Sequence, residues 1–227
     1  MGTDRGDPTG SVAVRLAAFA AGAAVFCQAA AGTNPARLAL MPLPREALGP
    51  DAAGFVLARD SGVDSNADAA RNAGGGVTGA ELARDGRITG YTLDYAVTGL
   101  SAPGAAPSLL GVQTIAELYR DGAAARKGLA FWRGVTRALN GSTANGLTVG
   151  LVPFVARVGD GAFAFELTYR RAGTPVLYIG DVVFRAGDLL GAVFVTARTK
   201  ASLHTRTIGL ARRLATRMQR VVAGETP

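Results

Sequence analysis

The chain has 227 residues, 48% of them hydrophobic and 18% charged, and carries a formal net charge of +7. That is enough apolar material for one domain with a true core, and it excludes wholesale disorder. One cysteine and one histidine exclude a disulfide framework and leave too few soft ligands for a zinc site.

Arg5 and Arg15 precede an apolar run over residues 16–27, and Gln28-Ala29-Ala30-Ala31-Gly32 supplies the small residues a signal peptidase accepts. This arrangement predicts a secretory signal over residues 1–31, and a mature chain that works outside the cytoplasmic membrane. An uncleaved anchor is the alternative, although the run is shorter than the ~20 residues that span a bilayer. Lipidation at Cys27 would need a small residue before it, and Phe26 is bulky. Cleavage after Ala31 removes the only thiol, so the mature chain would be held together by packing alone.

Residues 32–64 are punctuated by Pro35, Pro42, Pro44 and Pro50 and read as an extended lead-in. A single domain is expected from 65 to 227. Ser65 caps a short predicted helix to residue 73, with Asp68 in its first turn, and Gly74-Gly75-Gly76 ends it. Thr78 caps a second short helix over 79–83. Residues 88–98 alternate as a strand, with Tyr91, Leu93, Tyr95 and Val97 on one side and polar or small residues on the other. A Pro/Gly/Ala loop over 100–107 leads to a second strand over 112–119. Asp121 caps a long helix in which Ala125, Leu129, Trp132, Val135 and Leu139 recur at helical spacing, and Asn140-Gly141 closes it. The strand patterns at 163–170, 176–185 and 189–197 are separated by Ala172-Gly173 and Ala186-Gly187, which is hairpin spacing. A final helix over 202–222 has Leu210, Leu214, Met218 and Val221 as its apolar stripe. The expected fold class is α+β, a two-layer sandwich whose mostly antiparallel sheet carries both long amphipathic helices on one face.

The charge is concentrated. Seven basic residues against Glu225 give residues 198–227 a net +6 of the whole. Arg206, Arg213, Arg217 and Arg220 fall on another face of the last helix from the apolar stripe and are the candidate surface-contact residues. Export removes nucleic acid as a partner and leaves an anionic membrane surface or a cell-wall polymer. A solvated outer face is the plain alternative.

Catalytic chemistry is thin. His204 is the sole histidine, and no Gly-x-Ser-x-Gly elbow accompanies it, since Gly99-Leu100-Ser101-Ala102-Pro103 fails at its last position. Gly74-Gly75-Gly76-Val77-Thr78-Gly79 matches a dinucleotide fingerprint in letters only, because a helical pattern precedes it where a strand is required. Asp60, Asp64 and Asp68 form the densest oxygen cluster, but their spacing is not that of a calcium loop. Glu166 and Asp181, on neighbouring predicted strands, are the one acid pair a hydrolase could use. No cofactor, metal or catalytic residue is assigned.

Three stretches carry a resemblance: Gly86-Arg87-Ile88-Thr89-Gly90-Tyr91, then residues 118–126 (Leu118-Tyr119-Arg120-Asp121-Gly122-Ala123-Ala124-Ala125-Arg126), then Val182-Val183-Phe184-Arg185-Ala186-Gly187-Asp188. Together they resemble secreted and lipid-anchored domains of actinobacteria and, more loosely, the extracytoplasmic sensor domains of their Ser/Thr kinases. The resemblance spans residues 65–222 and implies a fold; it transfers no functional residue, and the paired cysteines of the kinase sensors are missing here. The expected function is an exported, non-enzymatic envelope domain that binds a ligand, a partner or an anionic surface. A carboxylate-based secreted hydrolase and a purely structural envelope protein are the alternatives.

Overall fold

The computed structural model describes residues 33–97 and 108–225. The expected signal over 1–31 and the expected loop over 100–107 lie outside them.

Among the described residues, one antiparallel sheet contains β1 (Phe55–Leu57), β2 (Gly62–Asp64), β3 (Arg87–Val97), β4 (Leu109–Tyr119), β5 (Thr143–Ala144), β6 (Leu147–Pro153), β7 (Gly161–Arg171), β8 (Thr174–Ala186) and β9 (Leu189–Ala197). Its order is β1-β3-β4-β9-β8-β7-β6-β5, with β2 also paired to β3. The two expected hairpins of the β7–β8–β9 meander form, the first turning through Ala172 and Gly173, both at positive φ. The meander then closes onto β4 through β9, a pairing between strands about 80 residues apart in sequence that no local signal marks.

The helices are α1 (Asn66–Ala73), α2 (Gly79–Arg84), α3 (Gly122–Ala138) and α4 (Leu203–Val222). The first two begin with reciprocal capping boxes, Ser65 with Asp68 and Thr78 with Glu81, and Asp121 caps α3. The Gly-rich match at 74–79 is the link between α1 and α2, and Gly74, Gly75 and Gly76 all have positive φ.

The α+β class and antiparallel sheet are as expected, but the two long helices lie on opposite faces. Successive strand residues point to opposite sides, and β8 shows the consequence. Asp181 accepts a hydrogen bond from Thr136 of α3, whereas a Cβ at its neighbour Gly180 would overlap Thr207 Oγ1 of α4. Val182 and Phe184 join the α4 core, and Val183 joins the α3 core. The central strands are apolar on both sides, as a sheet covered twice must be. A one-layer covering would have left Phe163, Phe165 and Leu190 in water.

The lead-in is not extended. Residues Pro35–Leu40, Arg45–Leu48 and Pro50–Ala52 form 3-10 turns, started by Asn34 capping Ala36 N–H and by prolines at first positions. Leu38, Met41, Leu43, Leu48 and Ala52 pack into the α4-side core with Phe55, Leu210 and Leu214. Leu43 N–H donates to Thr114 Oγ1 at 3.1 Å. This segment and α4 together cover that face of the sheet.

Candidate functional site

The α4 arginines point at the lead-in. Arg206 pairs with Asp51, Arg213 Nη1 donates to Ala47 O at 2.8 Å, and Arg217 Nε donates to Leu40 O at 2.7 Å. Arg220 Nε donates to Glu225 Oε2 at 2.9 Å. A guanidinium has five N–H donors, so one bond to a neutral carbonyl leaves Arg213 and Arg217 charged and still able to donate. Arg213 is exposed and Arg217 half-buried. Burial and the neighbouring Arg220 lower the pKa of Arg217 below that of a free arginine.

Beside these side chains lies an open depression of about 390 Å³ lined by Arg45, Glu46, Phe55, Val56, Leu57 and Tyr95. That volume falls at the lower end of ligand pockets, roughly 300–1,000 Å³. One wall is β1, the last strand of the sheet, where Val56 is 45% and Leu57 52% exposed. Tyr95, paired with Leu57, forms the floor. Burial raises its phenol pKa, and Arg45, Glu46 and Arg217 are close enough to act on it electrostatically. The cleft thus joins the arginine face of α4 at Tyr95. None of its lining residues stood out as a site in the sequence; the run Phe55-Val56-Leu57 after Gly54 was the available signal for a strand.

Glu166 and Asp181 do not meet. Residues 165 and 181 are register partners, so Glu166 projects to the α4 side and Asp181 to the α3 side. Glu166 is buried and accepts from Thr168 Oγ1 at 3.2 Å, Lys200 Nζ at 2.5 Å and His204 Nε2 at 2.9 Å. Burial pushes its pKa up, but Lys200, His204 and Thr168 outweigh that and hold the carboxyl ionised. An ionised carboxylate only accepts, so His204 Nε2 carries the hydrogen. The imidazole stacks on Phe154 at 4.1 Å. This cluster ties the start of α4 to β7, and it compensates for Ser202, which sits at φ 57 and makes no side-chain cap.

Asp181 lies under α3, 1% exposed, with Oδ1 unpartnered and Oδ2 3.3 Å from the Thr136 hydroxyl. Burial raises its pKa to about 8, so it is neutral at physiological pH. Because they lie on opposite faces of the sheet, Glu166 and Asp181 do not flank one cleft as a glycosidase's acid pair does.

The other sequence candidates are structural. Asp64 meets Arg87 at 2.5 Å, and the Asp68 carboxylate accepts from Ser65 N–H and pairs with Arg71, so two of the three cluster aspartates are held by protein donors. Arg87, 2% exposed, also donates Nε–H to Glu117 at 2.9 Å and Nη1–H to Asn66 Oδ1 at 2.8 Å. Glu117 in turn accepts from the Tyr119 hydroxyl and from Trp132 Nε1. Trp132 packs against the α3-side core and the α1–α2 pair. Among the described residues, no group of three His, Cys, Asp or Glu side chains is placed to hold a metal, and no helix is long and apolar enough to cross a membrane.

No protein-family model matches the chain, and a search of curated proteins returns no match. Among solved structures, the fold is similar to the extracellular domain of PknH from Mycobacterium tuberculosis, with a TM-score of 0.51 at 13% identity. The match covers 85% of this chain and 98% of that one. The loose resemblance to kinase sensor domains carried by the sequence motifs is therefore shown at the level of fold.

Proposed function

We propose that this chain is an extracytoplasmic, non-enzymatic binding domain that contacts an anionic envelope component through α4 and the lead-in. The observation that carries the reading is the state of Arg213 and Arg217. Both are bonded to main-chain carbonyls rather than to acids, and they sit beside an open, partly apolar cleft. Arg206 and Arg220, which have acidic partners, extend the cationic stripe along the same helix. The fold likeness to an extracellular domain supports placement outside the cytoplasmic membrane, as does the signal-like segment at residues 1–31. The separation of Glu166 from Asp181 weighs against the hydrolase alternative.

The test is sedimentation with phosphatidylglycerol vesicles at low salt, with phosphatidylcholine vesicles as control. The wild type should bind the anionic vesicles only, and added salt should release it. Replacing Arg213 and Arg217 with Gln should weaken binding about thirtyfold, since near-surface cations are worth about 1 kcal/mol each. Unchanged binding by this double variant would refute the assignment.

A further inference from the structure

We infer that the outer face of α3 is a docking surface for a linear phosphate polymer, held by Arg126, Arg133 and Arg137 with Lys127 beside them. It lies across the sheet from the α4 contact and goes beyond that reading, sharing with it only the placement outside the cytoplasmic membrane.

The residues of α3 supply four cations and no acid. At about 100° and 1.5 Å per residue, Arg126, Arg133 and Arg137 fall within about 40° of one another and span about 16 Å of helix. Arg126, Lys127 and Arg137 are exposed and Arg133 is half-buried, while Ala124, Ala125, Gly128, Leu129 and Thr136 are the buried positions. Among the described residues, none of the four cations has an ion pair or a side-chain hydrogen bond, and the buried Nε of Arg133 meets no acceptor. Asp121, the nearest acid in sequence, is already engaged by Ala124 N–H and Arg120. The candidate arginines of α4 differ, because Arg206, Arg213, Arg217 and Arg220 each bond an acceptor of this chain. Arg133 and Arg137 stand one turn apart and repel each other, and no group of the chain offsets it.

The helix beneath this stripe is firmly seated. Gly128 admits the Tyr119 ring, which a Cβ would meet at 2.4 Å, and Trp132 Nε1 donates to the buried Glu117 at 3.0 Å. A polyanion therefore meets cations on a scaffold that binding does not have to order.

The surface between the cations selects the occupant. Ala130 and Gly134 are exposed there, and none of the exposed large hydrophobic residues lies within α3. A bilayer-bound helix inserts bulky apolar side chains, and a protein partner needs an apolar core in its interface; this face offers neither. Single-stranded nucleic acid stacks its bases on aromatic side chains, whereas Phe131 and Trp132 are half-buried and pack on each other and on the α1–α2 pair. A linear phosphate polymer needs only a row of cations that releases its counterions, and the guanidinium fork matches phosphate oxygens.

The experiment is fluorescence anisotropy of end-labelled long-chain polyphosphate titrated with the whole chain over a salt series, beside labelled polyglutamate and oligothymidylate. Polyphosphate should bind tightest of the three, and log affinity should fall against log salt with a slope of about −3, at about −0.7 for each of four cations. Arg126→Gln with Arg133→Gln and Arg137→Gln should weaken polyphosphate at least about tenfold at low salt and flatten that slope by about 2. Gln keeps helix propensity, and thermal melting reports that the variant folds. Lys at the same three positions should keep the slope. The charge-matched variant Arg212→Gln with Arg213→Gln and Arg217→Gln should retain polyphosphate, and the α3 variant should still sediment with phosphatidylglycerol vesicles. Equal loss of polyphosphate in the two triple variants would overturn the site, because net charge alone would then account for binding. Binding of polyglutamate or oligothymidylate as tight as that of polyphosphate would overturn the polymer class. If polyphosphate binds and the vesicles do not, the α4 reading falls and the α3 surface stands. If the vesicles bind and polyphosphate does not, the α3 surface falls alone.

Discussion

The two faces of the sheet are built on opposite electrostatic plans. On the α3 side, ionisable groups are buried: Arg87 with Asp64 and Glu117, and Asp181 alone beneath Thr136. On the α4 side one carboxylate, Glu166, is buried, but the partners that answer it, Lys200 and His204, and the helix arginines reach solvent. A buried ion pair is costly to break, while a marginal one is cheap to rearrange. The contrast therefore assigns rigidity and pH response to the α3 side, and exchangeable contacts to the α4 side.

The sharpest way to break that contrast is Arg87→Met. It strands Asp64 and Glu117 in the interior and should cost about 3–5 kcal/mol in urea unfolding. Arg87→Lys should not rescue it, because one ammonium cannot replace donors aimed at Glu117, Asn66 and Asp64 together. A loss as small as that of a surface substitution would remove the distinction between the faces.

Next is Gly180→Ala, on the α4 side of β8. The added methyl meets Thr207 and Leu203, so the helix must lift, at about 1–3 kcal/mol. Wild-type melting would mean that α4 does not sit directly on the strand backbone.

Asp181 supplies the pH test. Its folded pKa of about 8 lies above the ordinary value of 3.8, so folding favours the protonated form. The stability this contributes is complete below about pH 4 and is lost as pH rises toward about 8. Asp64, raised to about 6 chiefly by burial, acts in the same direction between about pH 4 and 6. Asp181→Asn should therefore flatten the decline above pH 6 and stabilise the protein at pH 8, as read by urea midpoints across pH. A slope unchanged by the substitution would show that the titrating group lies elsewhere.

The smallest effect is expected at Arg213→Gln with Arg217→Gln. Each substitution removes one exposed or half-exposed bond to a carbonyl and should cost less than about 1 kcal/mol. A large loss would make these side chains structural straps and would separate them from binding.

Much of the fold is legible in the chain, for physical reasons specific to each element. The caps at Ser65, Thr78 and Asp121 act within three residues and declare the helix starts. Ala172-Gly173 declares its hairpin because positive φ is a local demand. Asn145-Gly146 makes the same demand between β5 and β6, with φ of 53 and 73, and with Leu147 and Val149 it marks a hairpin that the strand expectations above leave out. The cleft was not legible, because its six lining residues come from the lead-in, β1 and β3 and share no spacing. Nor was the destiny of the acids: Glu166 and Asp181 look alike in the chain, and strand parity alone sends one to a rim and the other under a helix.

The sequence by itself determined the local features: the α+β content, the caps, the meander and the amphipathic stripe of α4. Each depends on residues within a turn or two of one another, where propensity and periodicity act. Only the tertiary structure decided that α3 and α4 take opposite faces, that the proline-rich segment folds into the core, and that β9 closes on β4. Those outcomes depend on burying both sides of one sheet at once. That is a property of the assembled surface, and no window of the chain contains it.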